Sequence, residues 1–326
     1  MLVEDTVHST VDRAPLINAA LGMTIRGAGL TRPRGGMRLF WRSLVARYRA
    51  MGGTLRVRRR VTRMAGSLGG FEIETSRGSV GARQVVAATP ASLTARLGPR
   101  LLGDALAKYL RRDAEAQGGA IVVFLGTTGD EVEGEPWTHH QLLQDYDSPL
   151  GNGNNMFISV SAVGDLASAP RGCHAVMIST HCELAEWHGL EKREYDARKQ
   201  EMTDRLIGLA RRVYPRLGER AAVCECATPV TYERFTQRPL GAVGGVRQTI
   251  HNSNQAAIPH DLGPKGVWLV GDSTWPGLGT VACVLSSRIV AEDVLRVARR
   301  LPNCPVATGD SAQPQHVRRR ASVATA

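Results

Sequence analysis

The sequence predicts an α/β fold with additional α+β elements: a Rossmann-like binding domain that lacks its first βαβ unit, plus a second domain built on a mixed sheet. The first observation is residues 266–295, where a short apolar run, a Gly-Asp pair, a glycine-rich turn and a helical pattern follow one another. The second is a series of strand-like segments over 119–227. The third is length, because 326 residues that are 43% hydrophobic can bury the cores of two domains.

The N-terminal part begins with residues 1–34, which we expect to be helical and irregular. Glycines at 35–36 then precede an amphipathic helix over 37–50, which Gly52 and Gly53 end. We expect this helix to pack into the core. The alternative is that its basic and apolar residues rest on a membrane surface.

Strands are predicted at 54–57, 61–64, 71–75 and 80–88, with a short helix after Pro90. The second sheet is predicted to hold the segments 119–126, 155–161, 174–181 and 222–227. A long helix over 192–213 precedes the last of these strands and ends before Pro215. Residues 228–265 are predicted to be rich in loops, and the polar, aperiodic residues from Pro302 onward to be disordered.

Charge and composition indicate which kinds of partner the chain binds. Lysine and arginine outnumber the acids by 41 to 30, which gives a net charge of +11. Only 5% of the residues are aromatic, and they are not interleaved with the basic clusters 56–60 and 318–320, so we predict no nucleic-acid partner. Attraction to an anionic membrane surface fits the same charge.

Targeting signals and cysteines indicate the compartment. No run of 18 apolar residues is present, and the N-terminus has early acids and no apolar core. The six cysteines form no CxxC motif, which favours free thiols in a reducing environment. We therefore predict a cytoplasmic protein, in peripheral contact with the inner face of the cytoplasmic membrane if the helix over 37–50 binds lipid.

Asp272 is the strongest candidate for ligand binding. It stands where the apolar run stops and the turn begins, a usual place for functional groups in α/β sheets. The alternative is an aspartate that only caps the turn. A serine hydrolase with Ser273 as nucleophile, as in the GDSL esterases, is disfavoured. The one downstream histidine, His316, lies in the predicted disordered tail without an Asp-x-x-His motif.

Metal binding is not predicted. The pairs Cys173-His174 and His181-Cys182 flank a predicted strand, whose ends would lie about 26 Å apart at about 3.3 Å per residue. One zinc ion needs all its ligands at about 2 Å. Cys224 and Cys226 point to one face of a strand and are expected in the core. His139 and His140 are expected in a loop or at a strand end.

Three groups of motif residues resemble the phytoene-desaturase-like flavoproteins of the FAD-dependent amine-oxidase superfamily, most closely the carotenoid 3,4-desaturase and carotene-isomerase branch. The resemblance covers about residues 33–297. The first group is Pro33, Gly35, Gly36, Met37, Gly52, Gly53, Val61, Met64 and 85–88. The second is 227–236 with Gly241, Gly244 and Gly245, and the segment 157–161 adds to it. The third and most specific is 269–279, LVGDSTWPGLG.

The resemblance implies an FAD site and a polyene substrate. It places Val61 at the adenine and Asp272 at the ribityl hydroxyls, and it places the helix that begins at Gly279 near the flavin pyrimidine. The implied cofactor-binding residues are Val61, Gly271, Asp272, Pro276, Gly277, Gly279, Thr280 and Val281. The implied reaction is desaturation or isomerisation of a carotenoid with hydride transfer to the flavin, and it assigns no catalytic side chain. The second sheet would form an apolar floor for the substrate.

The chain departs from this family at its N-terminal end. The family begins with a strand and G-x-G-x-x-G, a spacing that Gly22, Gly27, Gly29, Gly35 and Gly36 do not produce. We therefore expect a fragment in which 1–34 ends a substrate-domain segment and 35–98 forms a partial FAD-binding domain. Residues 99–255 form the substrate-binding domain, 256–300 the C-terminal FAD-binding segment and 301–326 a disordered tail.

Three alternatives remain open for function. The chain could be a non-catalytic polyene- or lipid-binding remnant. It could be half of a split flavoenzyme, completed by a separate N-terminal FAD-binding polypeptide. It could also be a flavoenzyme of the amine-oxidase type, which would share the fold.

Overall fold

The computed structural model describes residues 2–27, 29, 31 and 33–301. The predicted disordered tail, with Cys304 and His316, therefore lies outside the described residues apart from position 301. The helices are α1 (Leu2–Val7), α2 (Leu16–Gly27), α3 (Gly36–Ala50), α4 (Ala91–Leu97), α5 (Asp104–Arg112), α6 (Lys192–Ala210), α7 (Pro229–Thr236) and α8 (Thr280–Ala298). The strands are β1 (Val61–Ser67), β2 (Gly70–Thr75), β3 (Gly78–Ala82), β4 (Val85–Ala87), β5 (Gly119–Thr128), β6 (His139–Leu143), β7 (Asn155–Val160), β8 (Cys173–Cys182), β9 (Val223–Ala227) and β10 (Val267–Leu269).

The strands form three sheets, as expected for an α/β fold. β1, β2 and β3 make an antiparallel meander, and β10 pairs in parallel with β4. The third sheet has the order β6-β7-β8-β5-β9 and is antiparallel throughout, so the prediction of a mixed sheet was wrong for this domain. All four strands predicted for it are present. The fifth, β6, begins at His139 and His140, which we had expected in a loop or strand end.

The predicted single strand over 80–88 is two strands in two sheets. β3 belongs to the meander, whereas β4 pairs with β10. Between them the Gln84 side chain accepts a hydrogen bond from Trp268 Nε1 at 3.0 Å and donates one to the Val294 carbonyl at 3.0 Å. The chain thus passes from one sheet to the other at a residue whose side chain bonds to both β10 and α8.

Residues 54–57 are not a strand in the described structure. The segment has strand-like residues, but a strand also requires a hydrogen-bonded neighbour, and none of the described strands pairs with it. The prediction of a strand at 54–57 was therefore wrong, because the sequence pattern does not tell which neighbour a strand pairs with.

The helix over 37–50 forms as α3, yet the expectation that it packs into the core is wrong. None of its residues is buried. Four of its large apolar side chains are about half exposed: Met37 at 49%, Trp41 at 54%, Leu44 at 48% and Tyr48 at 51%. No helix among the described residues is both long enough and apolar enough to span a bilayer.

Two large cores hold the sheets. One lies between the five-stranded sheet and α6, with Ile121, Ile178 and Leu206 fully buried. The other joins the meander, the parallel pair and the helices α4 and α5 around Phe71, Leu102 and Leu106. α8 covers the other side of β10. Cys224 is exposed on the edge strand β9, so the expectation that it is a core residue was wrong.

Candidate functional site

The candidate site is the turn between β10 and α8. β10 is buried, and its direction brings the chain to Gly271, which has a φ of 112° that favours glycine. The turn then runs through the cis peptide Trp275-Pro276 to Gly279, which is the residue before α8 and has a φ of 97°. Six predicted site residues from Gly271 to Thr280, and Val281 beside them, are thus placed on one turn and the helix that follows it.

Hydrogen bonds from α8 hold the turn. The Ser286 hydroxyl, fully buried on α8, accepts a hydrogen bond from the Gly271 backbone at 3.2 Å. It also lies 3.3 Å from the Thr274 hydroxyl, which donates to the Gly271 carbonyl. The turn and the helix N-terminus therefore form one rigid unit, which is what a binding site needs.

Asp272 has a charged partner that the sequence did not reveal. Arg238 Nη2 lies 2.5 Å from Asp272 Oδ2, and both side chains are only about one-fifth exposed. Arg238 Nη1 also donates to the Gly244 carbonyl at 2.6 Å. The one signal available in the sequence was that Arg238 stands between the motif residues 227–236 and the glycines at 241–245. A largely buried carboxylate such as Asp272 requires a partner.

The glycine loop at 241–245 packs directly against the turn. A Cβ added at Gly245 would meet the Asp272 carbonyl oxygen at 2.3 Å, and one added at Gly244 would meet the His8 ring at 2.7 Å. Gly245 therefore allows the loop backbone to approach Asp272 closely, and Gly244 leaves room for the ring of His8, the residue after α1. The loop ties the turn to the N-terminal helices.

The N-terminus of α8 is free of competing acids. Its first turn has no aspartate or glutamate, and Gly279 provides no side-chain cap. A Cβ added at Gly271 or at Gly279 would meet no described atom within 4 Å. The backbone N–H groups at this end are therefore available to a polar or anionic ligand group.

A cavity of about 910 Å³ adjoins this end of α8. Trp275, Gly279, Thr280 and Val281 form one wall, and the helices α1 and α2 form another. The floor is the face of the five-stranded sheet opposite its core. A volume of this size falls in the range that encloses most of a small-molecule ligand, about 300–1,000 Å³.

The floor of the cavity is not apolar, contrary to expectation. Strand residues alternate between the core and the cavity. The cavity side carries Phe157 and Ala120, but it also carries polar side chains from three strands. These are His139, Gln141, Asn155, Ser179 and His181.

The other candidates from the sequence lie away from the cavity or lack the neighbouring side chains that their proposed chemistry requires. Val61 lies in the meander, opposite Thr75, and is not among the residues that line the cavity. Ser273 accepts a hydrogen bond from the Ala91 backbone and donates one to Asp272, without a histidine among its described partners. β8 is the extended strand predicted between the two Cys-His pairs, and no group of metal-ligating side chains was found among residues 2–301 that the structure describes.

Part of the chain is similar in sequence to known proteins. No family model matches the chain. A chloroplastic prolycopene isomerase of Daucus carota is 27% identical over 179 residues, which are 53% of this chain and 29% of the relative. Prolycopene isomerase 2 of an Oncidium hybrid cultivar is 30% identical over 161 residues, or 48% of this chain and 27% of the relative. The chain thus spans about three-tenths of the length of these curated relatives.

A solved structure shares the fold. An oxidoreductase from Methanosarcina mazei superposes with a TM-score of 0.59 at 18% identity, over 89% of this chain and 63% of the other. The structural likeness confirms the predicted fold class. The sequence relatives confirm the resemblance to carotene isomerases.

Proposed function

We propose that this chain is the substrate-domain and C-terminal cofactor portion of an FAD-dependent oxidoreductase that desaturates or isomerises a carotenoid or another polyene. The observation that carries the proposal is the Gly271–Gly279 turn, which holds Asp272 and leads into the open N-terminus of α8. Pro276, Gly279 and Thr280 line the large cavity, whereas Asp272 is not among the residues that line it. The prolycopene isomerase relatives support a carotenoid as the substrate class.

The turn fits the ribityl and pyrimidine part of a flavin. Asp272 retains an exposed fraction and can accept hydrogen bonds from ligand hydroxyls. Gly271 and Gly279 leave open space where a side chain would obstruct a ligand. FAD, when bound, would supply the two-electron carrier for removing or adding hydrogen. The chain's own residues would orient the substrate in the cavity and exclude water from it.

The adenine and pyrophosphate part is a separate question. We propose Val61 as the adenine contact, as the resemblance implies. The parallel sheet has two strands in the described structure, β4 and β10, and neither precedes a G-x-G-x-x-G turn. A separate N-terminal FAD-binding polypeptide that completes this half is the first alternative, and a non-catalytic lipid-binding remnant is the second.

Flavin binding tests the proposal directly. FAD is added to the purified chain, and bound flavin is measured by absorbance after gel filtration and by fluorescence titration. Asp272→Asn removes the hydroxyl acceptor's charge, so we expect at least about tenfold weaker FAD binding. Asp261→Asn, an exposed aspartate of the same segment, is the matched control and should bind FAD like the parent.

The outcomes separate the alternatives. FAD bound equally well by the Asp272→Asn variant and the parent would overturn the assignment of the turn. Flavin bound only when a G-x-G-x-x-G polypeptide is added would favour the split enzyme. Product analysis with acyclic carotenoids against primary amines would separate the polyene enzyme from an amine oxidase.

A further inference from the structure

Arg238 lies on a rigid corner of the chain. It follows α7 and Gln237, whose φ of 60° is the left-handed conformation that ends the helix. The Arg238 backbone N–H donates to the Thr236 hydroxyl at 3.3 Å, and its carbonyl accepts a bond from the Gly241 N–H at 3.0 Å. A Cβ added at Gly241 would meet the Pro229 carbonyl oxygen at 1.8 Å, so the corner packs tightly against the start of α7. The backbone therefore gives Arg238 a fixed position.

The guanidinium of Arg238 is held at both of its Nη atoms. Nη1 donates to the Gly244 carbonyl at 2.6 Å, and Nη2 donates to Asp272 Oδ2 at 2.5 Å. Because the guanidinium is planar and rigid, the bond to the loop carbonyl sets the direction of the bond to the carboxylate. Both charged side chains are largely buried, which strengthens a charge-assisted hydrogen bond relative to one in open solvent. Arg238 therefore holds the Asp272 carboxylate in one orientation.

This orientation leaves the second oxygen of Asp272 able to accept further bonds. Oδ1 has the Ser273 hydroxyl at 3.5 Å, which is longer than the usual O–H···O distance of about 2.5–3.0 Å. The Ser273 oxygen is itself held by the Ala91 backbone N–H at 3.2 Å. An ionised carboxylate has about four acceptor positions on its two oxygens. Oδ1 can therefore accept a bond from a ligand hydroxyl while Oδ2 keeps its bond to Arg238.

Arg238 also offsets the charge of Asp272 beside α8. Burial raises the pKa of Cys283, in the first turn of that helix, and the Asp272 carboxylate adds to the rise while the Arg238 guanidinium opposes it. Both charges thus act at the end of α8 whose N–H groups are open. Without the guanidinium, the carboxylate would be drawn towards those N–H groups and would take the place of a ligand group there.

We propose that Arg238 is a positioning residue of the candidate flavin site: it fixes Asp272 so that Oδ1 can accept a bond from a ribityl hydroxyl, and it keeps the carboxylate away from the N-terminus of α8. This inference rests on the proposed function for its choice of FAD as the ligand. It adds a residue that the resemblance does not assign, and it makes the loop at 241–245 the anchor of that residue through the Gly244 carbonyl.

The test titrates FAD into the full chain and its variants by flavin fluorescence, with urea denaturation of each protein as a separate measure of stability. We expect Arg238→Gln to weaken FAD binding about tenfold, and Arg238→Gln with Asp272→Asn to bind within about threefold of either single variant. Arg238→Lys keeps a cation beside the carboxylate and should bind FAD within about threefold of the parent. Arg234→Gln removes an exposed arginine of α7 and is the matched control, which should bind FAD like the parent.

Each result decides the inference. Losses that multiply to about a hundredfold in the double variant would show that Arg238 does not act through Asp272 and would overturn it. Equal weakening by Arg238→Lys and Arg238→Gln would overturn it too, because packing alone is then what matters. If Arg238→Gln does not fold, Arg238→Met, which keeps the apolar stem, replaces it with the same expectations. Unchanged FAD binding by Arg238→Gln would refute the role of Arg238 and leave the assignment of Asp272 standing. Failure of the parent to bind FAD would instead count against the proposed function, and this inference would fall with it.

Discussion

The ion pair between Arg238 and Asp272 shows where reasoning from single residues stops. The Gly-Asp turn could be predicted, because its strand, its glycines and its helix are contiguous in sequence. Its partner is 34 positions away and has no motif of its own. Charge pairing over that separation is set by the fold, so only the structure could assign Arg238.

A second residue with a buried charge, Glu131, offers a test of stability. It is 2% exposed, and it accepts backbone hydrogen bonds from Gly218 at 2.6 Å and Arg220 at 3.1 Å. Burial acts to raise its pKa, but these bonds and those from threonine hydroxyls outweigh it, so the pKa is lowered overall. Charged Glu131 therefore stabilises the fold above its unfolded pKa of about 4.3.

We expect Glu131→Gln to lower the free energy of unfolding by about 1–3 kcal/mol at pH 7, measured by urea denaturation. The difference from the parent should shrink as the pH falls through the lowered pKa of the folded state, where Glu131 is protonated. Glu133→Gln, at an exposed neighbour, should change the stability by less than about 0.5 kcal/mol. A difference that stays constant down to acid pH would contradict the role given to the charge.

At the scale of elements, the sequence predicts which segments favour a strand, but it does not predict which strands pair with one another. Four of the five strands of the large sheet could be predicted because each is a bounded, strand-like run, and β6 was not predicted. The segments 54–57 and 80–88 were misread because the outcome depends on which neighbour a strand meets. The sequence predicts loops over 228–265, yet α7 forms there, and Thr228 and Thr231 make a capping box at its start.

Gly245→Ala tests how the loop at 241–245 meets the turn, and Gly208→Ala is the comparison at a glycine of α6 with open space around it. Gly245→Ala would place a methyl group against the Asp272 carbonyl, so we expect a loss of about 1–3 kcal/mol in the free energy of unfolding. Gly208 lies exposed in the interior of α6 with open space around it. Gly208→Ala should therefore stabilise the protein by about 0.5–1 kcal/mol. An unchanged stability for Gly245→Ala would show that the loop does not lie against the turn.

At the scale of the whole molecule, the site combines segments that are far apart in sequence. The cavity is lined by α1, α2, four neighbouring strands, the turn before α8 and the first residues of α8. Its polar floor could not be predicted, because alternation along a strand tells which residues share a face and not what that face meets. The resemblance identified the turn and the fold class, whereas the lining had to come from the structure.

The distribution of charge over the whole molecule also singles out α3. Residues 34–60 contain no acid and nine arginines, which are Arg34, Arg38, Arg42, Arg47, Arg49, Arg56, Arg58, Arg59 and Arg60. On α3 the exposed apolar side chains of Met37, Trp41, Leu44 and Tyr48 recur at helical spacing and form one stripe. An apolar stripe flanked by arginines is complementary to an anionic bilayer surface, so we propose that α3 makes the peripheral membrane contact.

Vesicle sedimentation tests this contact. We expect the full chain to bind vesicles that contain phosphatidylserine and to bind phosphatidylcholine vesicles weakly, with rising salt reducing the difference. Each arginine near the surface contributes about 1 kcal/mol, so Arg42→Gln with Arg49→Gln should weaken binding about 30-fold. Arg193→Gln with Arg212→Gln removes the same charge at exposed positions in and just beyond α6 and should change binding little. Equal losses in the two double variants would mean that net charge alone drives binding. No vesicle binding by the parent would mean that another polypeptide, and not a membrane, covers α3. Either of these two results would contradict the proposed membrane contact.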